Sequence, residues 1–543
     1  MGTCSAKCEM KRGKIIIAGT FLVGMAYRLL MGVQGIDSID MGFCMTFYQN
    51  IFSHPEAMTF YFNYYLTGLV GGLWHQVFGQ FGLMGFRVLE TLTMSSALML
   101  LYLAFRPWLT TTRVAVAAIL LSFLFPSFVI TFHYNTLSLL LMSGSVYAMV
   151  RWYRSCNGLW LWGAGVFIGV SFYARIVNGA LAALVLLPFI WGYLNSWKKG
   201  LKNAMVFALG MLMGSILVVC LMLLLGHWQY FVAGLTEAFG TFSGQETSHT
   251  SGNLFGVYLK SYVNIALQVI AIVVIALSYR YAGRLSQNVK AAIRFLLLAV
   301  MFLLVFTSQP YLSAISICTL LLVVTKDLFI MGSYVLCCAY LFPFGSDIGI
   351  PGIFHWCAGL LIIPAACCYS RIVSTWQKHV VSTLCVAIAL LMIYKMGVVA
   401  NGEESPRTET TTIALPGTLN VMTDSERAAR YQNEVVRIKS YGEGNPLLLI
   451  GNQASELYYA TGKLPFTGNT QMGTFMGESL HKRLDMQYAF YKRLPLIAYI
   501  KRGHGTEDMP AFRQTLSPWM HIHHYKLVYE DDDIELFKSE DWL

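Results

Sequence analysis

Residues 15–43 read IIIAGTFLVGMAYRLLMGVQGIDSIDMGF, a greasy run interrupted only by Arg28 and closed by two aspartates, Asp37 and Asp40. At roughly 1.5 Å of rise per residue, a run of about 20 apolar residues covers a hydrocarbon core of about 30 Å. The opening stretch therefore reads as a helix that crosses a membrane. Lys7, Lys11, Arg12 and Lys14 precede it. Its apolar part is too long for the core of a signal peptide and no small-x-small cleavage site follows, so the helix is expected to be retained.

The rest of the chain extends that reading. Of 543 residues, 56% are hydrophobic and 12% charged, outside the usual soluble range. Further apolar runs cover residues 86–105, 114–132, 136–150, 159–174, 176–194, 204–226, 262–277, 291–307, 311–324, 328–344, 354–369 and 380–399. The expectation is an α-helical polytopic membrane protein of about 13 spans, with its two ends on opposite sides. Arg106, Arg113, Arg151, Arg154, Lys198, Lys199, Lys202, Arg280, Arg284, Lys290, Arg294, Lys326, Arg371 and Lys378 all fall in alternate connections. The connections between those hold little base beyond Arg175 and Lys260. By the positive-inside rule this predicts a cytoplasmic N-terminus in the plasma (inner) membrane and an extracytoplasmic, periplasmic C-terminal domain.

The net charge of +10 divides unevenly: residues 1–399 hold 23 Lys/Arg against 9 Asp/Glu, and residues 400–543 hold 15 against 19. The excess is therefore topological, and a nucleic-acid partner has no support. All 12 cysteines precede residue 400, so the tail is not a disulfide scaffold. Cys337, Cys338, Cys367 and Cys368 lie inside apolar runs and read as small buried hydrophobes.

Two parts are expected. Residues 1–399 form the membrane domain, with an outer loop 35–85 whose aromatic and small residues fit helices lying in the membrane interface. A second long outer connection, 227–260, contains a Gly/Ser/Thr-rich tract that reads as a loop. Residues 400–543 form a small α/β domain: PLLLIG and LPLIAYI read as strands, ASELYYATG and MPAFRQTLSPWM as helices, and YKLVYEDDDIELFKS as a hairpin with an acidic turn. No internal repeat of the kind found in inverted-repeat transporters is visible.

Six of the nine acids before residue 400 fall on the predicted outer side: Asp37, Asp40, Glu56, Glu237, Glu246 and Asp347. Glu237 and Glu246 read as solvated loop acids. Asp37 and Asp40 sit at a span end among apolar neighbours, where partial burial raises a carboxylate toward the range of a general base. Arg175 lies at the outer end of its helix, against the positive-inside trend, and a guanidinium fork suits a phosphate. Arg28 is a second candidate for that role, or a partner for Asp37. Arg87 and Glu90, three apart, are expected to neutralise each other. His133 and Asn135 flank Tyr134 at an outer turn placed to hydrogen-bond a sugar. His521, His523 and His524 lack a third ligand at zinc spacing, so the solvated reading outweighs a metal site.

Taken together, these features resemble the GT-C glycosyltransferases, in particular the branch of protein O-mannosyltransferases and the aminoarabinose transferase of lipid A. The resemblance rests on Asp40-Met41-Gly42-Phe43 as the acidic loop motif, NYYLTGLVGGLWHQVFGQFG (residues 63–82) as the interfacial segment and Arg87 as the arginine that opens the next span. It departs where the family has a second acid directly after the motif aspartate, since Met41 stands there, and the base is left open between Asp40 and Asp37.

The resemblance implies transfer of a sugar, with inversion, from a polyprenyl-phosphate donor to a hydroxyl of a lipid, glycan or protein acceptor at the outer face. Asp40 or Asp37 would be the base, Arg175 and Arg28 would hold the phosphate, and Glu56, His133, Asn135 and Asp347 would contact sugar or acceptor. Membrane lipids are the other expected partners. The resemblance fixes no cofactor, and a divalent metal is left open. The competing readings are a transporter or flippase of lipid-linked sugars and a polysaccharide polymerase or ligase.

Overall fold

A computed structural model describes residues 2–36, 40–109, 111–124, 130–243, 251–281, 286, 288–289, 310–325, 329–346, 349–372, 375–398, 411–413, 421–442, 444–451, 454–470, 478–501 and 509–542. Asp37, Glu246 and Asp347 lie outside these residues, as does the whole of the expected span 291–307.

The opening run forms helix α1 (Gly2–Met31). Then come α2 (Asp40–Asn50), a 3-10 segment (Pro55–Tyr64), α3 (Tyr65–Phe78), α4 (Gly82–Phe105), α5 (Thr112–Leu124), α6 (Tyr134–Ser155) and α7 (Gly158–Ala174). After a second 3-10 segment (Ile176–Val185) follow α8 (Leu186–Tyr193), α9 (Trp197–Leu224), α10 (Trp228–Ser243) and α11 (Ser251–Tyr281). Helices Pro310–Val324, Phe329–Leu341, Gly349–Ile372 and Thr375–Val398 complete the apolar part. Among the described residues, 6 helical stretches are long and apolar enough to cross a membrane: Lys11–Met31, Pro55–Trp108, Ile176–Tyr193, Trp197–Leu224, Leu254–Ala271 and Val381–Val398. Several expected spans, such as α5 and α7, are helices too short to count by themselves, so the chain is a helical membrane protein whose span number is not fixed at thirteen.

The packing of α7 on α9 has a visible cause. A Cβ at Gly165 would land on the Phe207 carbonyl and one at Gly169 on Met211 O; reciprocally, Gly210 meets Trp162 O and Gly214 meets Val166 O. Two small-x-x-x-small faces thus let the backbones touch, the usual route to close helix contact in a bilayer. Paired numbers rise together along both helices, so α7 and α9 run parallel, and the segment Ile176–Tyr193 between them returns in the opposite direction.

The first outer loop differs from its expectation. Met41, Met45, Phe47, Tyr48, Met58, Tyr61 and Phe62 are at most 1% exposed. They share one core with Ile413, Tyr431, Leu447 and Leu457 of the C-terminal domain. Aromatic density here fills a seam between two parts of the protein instead of only meeting headgroups. On α3, Leu73 and Val77 remain exposed and offer an apolar face to lipid. The expected loop 227–260 is in good part helical, because α10 and the start of α11 occupy its ends, and α10 packs on the first 3-10 segment.

The C-terminal domain contains a sheet of order β3-β4-β6-β5, with β3 (Leu447–Ile450), β4 (Leu496–Ile500), β5 (Tyr525–Glu530) and β6 (Ile534–Ser539). Strands β3 and β4 are parallel, and β6 is antiparallel to both β4 and β5. All residues of β3 and β4 are buried, which is why their sequences are unbroken apolar runs. Helices Ser425–Tyr441, Glu456–Thr461, Glu478–Tyr491 and Met509–Ile522 surround the sheet. A short ladder of β1 (Thr411–Thr412) and β2 (Met422–Thr423) reaches back to the membrane domain, where Met422 bridges Gln34.

Candidate functional site

Asp40 opens α2 and is partly exposed. Its charge is felt at Tyr134, which belongs to a column of rings. Phe43 stacks on Tyr61 (centroids 4.9 Å), Tyr64 stacks on Tyr134 (4.4 Å), and Phe43 lies 6.2 Å from Tyr64 and 6.3 Å from Tyr134. His133 continues the column, 4.8 Å from Tyr134 on one side and 4.8 Å from Trp356 on the other.

Arg175 reaches the same place from α7. The helix ends there because Arg175 takes an extended conformation (φ −161°, ψ 118°), and Thr67 Oγ1 donates to the Ala174 carbonyl at 3.0 Å. Its guanidinium lies over the Tyr134 ring at 5.4 Å. Nη1 donates to Asn135 Oδ1 at 3.3 Å and to Phe342 O at 2.9 Å, just past the end of helix Phe329–Leu341, where the helix dipole favours a cation. The side chain is buried. Asn135 is 1% exposed, and its Nδ2 has no hydrogen-bond partner among the described residues.

The charges of Asp40 and Arg175 act on the Tyr134 hydroxyl with opposite sign. A carboxylate, a guanidinium and an unused amide donor thus converge on one wall of aromatic rings. Such an array can accept a proton at one point and bind an anion at another, and ring faces suit the apolar faces of a sugar.

The other sequence candidates separate. Arg28 is fully buried and paired with Glu90: Nε donates to Oε2 at 3.2 Å and Nη2 to Oε1. This corrects two expectations, since Glu90 serves Arg28 rather than Arg87, and Arg28 is occupied structurally. Arg87 instead donates to the carbonyls of Gly32 and, at 2.6 Å, Gly35, so it holds the turn after α1. The i,i+3 spacing of Arg87 and Glu90 could not reveal this, because the deciding partners come from other elements. Glu56 meets His54 Nδ1 at 3.2 Å and its charge acts on Tyr491 of the C-terminal domain. His133 is buried within the column, its Nδ1 3.4 Å from Thr136 Oγ1. Glu237, read as solvated, pairs with Arg483 of the C-terminal domain, and the two meet Thr59 Oγ1 at 3.4 Å each.

Tyr64 and Trp356 were not singled out in the sequence, and Phe43 entered only as the last residue of the acidic motif. The aromatic density of FYFNYY (residues 60–65) is a local signal for Tyr64; nothing comparable marks Trp356. Among the described residues no three His, Cys, Asp or Glu side chains converge as a metal set. His523 packs at a tilt against the buried Trp519, ring centroids 4.4 Å apart, and His524 meets Asp541 at 3.1 Å on the surface of the C-terminal domain.

No protein-family model matches the chain, and no curated protein matches it.

Proposed function

We propose that the chain is a GT-C-like membrane glycosyltransferase that moves a sugar from a polyprenyl-phosphate donor to an acceptor hydroxyl at the outer membrane face. The observation that carries this reading is the meeting of Asp40 and Arg175 at Tyr134, with the spare donor of Asn135 beside the guanidinium.

In this reading Asp40 takes the proton of the acceptor hydroxyl as its oxygen attacks the anomeric carbon. The bond from that carbon to the phosphate oxygen breaks on the opposite side, giving inversion. Arg175 and Asn135 Nδ2 receive the leaving phosphate, whose charge grows in the transition state and is held by donors already in place. Asp40 is assigned the base because its charge acts on Tyr134 beside Arg175, while the contribution of Asp37 is a matter for mutagenesis. The exposed face of α3 and the bilayer beside it would accommodate the polyprenyl chain.

Convergence at one end of α2, α6 and α7 favours an enzyme over a carrier, which needs polar groups along a path. Arg28, the charge best placed to extend such a path, is closed off by Glu90. The test is incubation of membranes holding the chain with labelled polyprenyl-phosphate sugars. Label appearing in a lipid, glycan or protein acceptor, and lost in Asp40→Asn, supports the reading. Donor crossing the bilayer with no acceptor labelled overturns it.

A further inference from the structure

Asp40 follows a turn that the C-terminal domain grips upstream and downstream. Upstream, Gly35 N–H donates to Met422 O at 2.9 Å and Met422 N–H donates to Val33 O at 3.0 Å. Arg87 holds the same turn from the membrane side through Gly32 O and Gly35 O. Downstream, the first turn of α2 lies against the start of helix Glu456–Thr461 so closely that a Cβ at Gly42 would land on Glu456 N and Ser455 Oγ.

A third fixture lies at the ring column. Tyr61 Oη lies 2.6 Å from Asn469 Oδ1 and 2.6 Å from Thr470 Oγ1, and accepts from Thr470 N–H at 3.0 Å. The Tyr61 ring stacks on Phe43, three residues after Asp40, with its plane only 4° away.

Two of these grips are made with main-chain atoms. A domain that merely rested on the outer surface would bury side chains; backbone pairing at residues 33–35 and a glycine-only approach at residue 42 fix where the main chain itself runs. We propose that the C-terminal domain is a positioning element of the active site, setting the location of the Asp40 carboxylate relative to Arg175. The inference rests on the reading of Asp40 as the base. It gives the soluble-looking tail a role in the transfer step rather than in attachment alone.

The experiment uses the full chain in membranes and the variants Gly42→Ala, Met422→Pro and Tyr61→Phe, with Asp40→Asn as reference. Labelled-sugar transfer is measured as kcat and KM for the donor across pH. Misplacing a reacting group by about an ångström costs up to about 100-fold. Gly42→Ala and Met422→Pro are expected to lower kcat by at least about tenfold with donor KM nearly unchanged, and to move the acid limb of the pH profile. Tyr61→Phe, which keeps the ring and loses only the hydroxyl, is expected to shift both in the same direction by less. Should either backbone variant fail to accumulate, Tyr61→Phe decides by the same two readouts. Wild-type kcat and pH profile in the folded variants, with Asp40→Asn inactive, overturn the positioning role and leave the enzyme reading standing. Full transfer by Asp40→Asn overturns the parent reading instead.

Discussion

Arg28 and Glu90 form an ion pair in which neither side chain is exposed, the arginine of α1 reaching both carboxylate oxygens on α4. Two charges at this depth are tolerable only together, because each offsets much of the other's lost hydration. The pair ties the first helix to the fourth just below the turn that Arg87 and Met422 hold.

Removing one partner alone leaves a buried charge unmatched. Glu90→Gln and Arg28→Met are each expected to destabilise the protein by about 3–5 kcal/mol. The joint change Arg28→Met with Glu90→Leu is expected to recover most of that loss. Thermal unfolding of the detergent-solubilised chain checks the order; a double variant less stable than both singles contradicts it.

At the candidate site, Asp40→Asn is expected to lower transfer by about 10²–10⁴-fold while donor binding persists, since the amide keeps the shape and loses the basicity. Arg175→Ala is expected to lower kcat by about 10²–10³-fold and to weaken donor binding as well, with Arg175→Lys intermediate. Equal loss of donor binding in Asp40→Asn and Arg175→Ala would contradict the division of roles.

Along the α7–α9 contact, Gly169→Leu and Gly165→Val are expected to be among the least tolerated substitutions, because the obstacle is backbone carbonyl rather than a movable side chain. Overpacking of this kind costs about 1–3 kcal/mol or more. Gly163→Ala, on the same helix with open space around it, is the control and is expected to be neutral in folded yield.

The hairpin turn of the C-terminal domain carries a pH dependence. Burial pushes the Asp531 carboxyl up, but hydrogen bonds from Tyr529 Oη, Ile534 N, Asp533 N and Asn433 Nδ2 outweigh it and hold the group below its ordinary 3.8. A depressed carboxylate contributes stability that is present above the unfolded value and is lost as pH falls through the folded one. Asp531→Asn is therefore expected to lower the melting temperature at pH 7, with the gap to wild type closing as pH falls below about 3.8. A gap independent of pH would mean that the turn is held by shape alone.

What could be read from the chain divides by range. The tail's strands and hairpin were legible because fully buried strands and an acidic turn leave local signatures, and β3, β4, β5 and β6 fall on the stretches that carried them. Helices Ser425–Tyr441 and Glu478–Tyr491 were missed, since their polar faces dilute the apolar signal. Arg175 was conspicuous because its position breaks a charge rule. Tyr64 and Trp356 were not, because in so aromatic a chain one ring looks like another until partners distant in sequence are brought beside it. Arg28 and Glu90 failed for the same reason: spacing on one helix cannot report a partner on a different one.

The glycine contacts between α7 and α9 have a mechanical consequence. With carbonyls seated where side chains would stand, the two helices behave as a single stiff strut, and Arg175 at its tip inherits that rigidity. If a long-chain donor enters as proposed, the opening that admits it must come from elements hinged elsewhere, with this strut as the fixed post against which they swing.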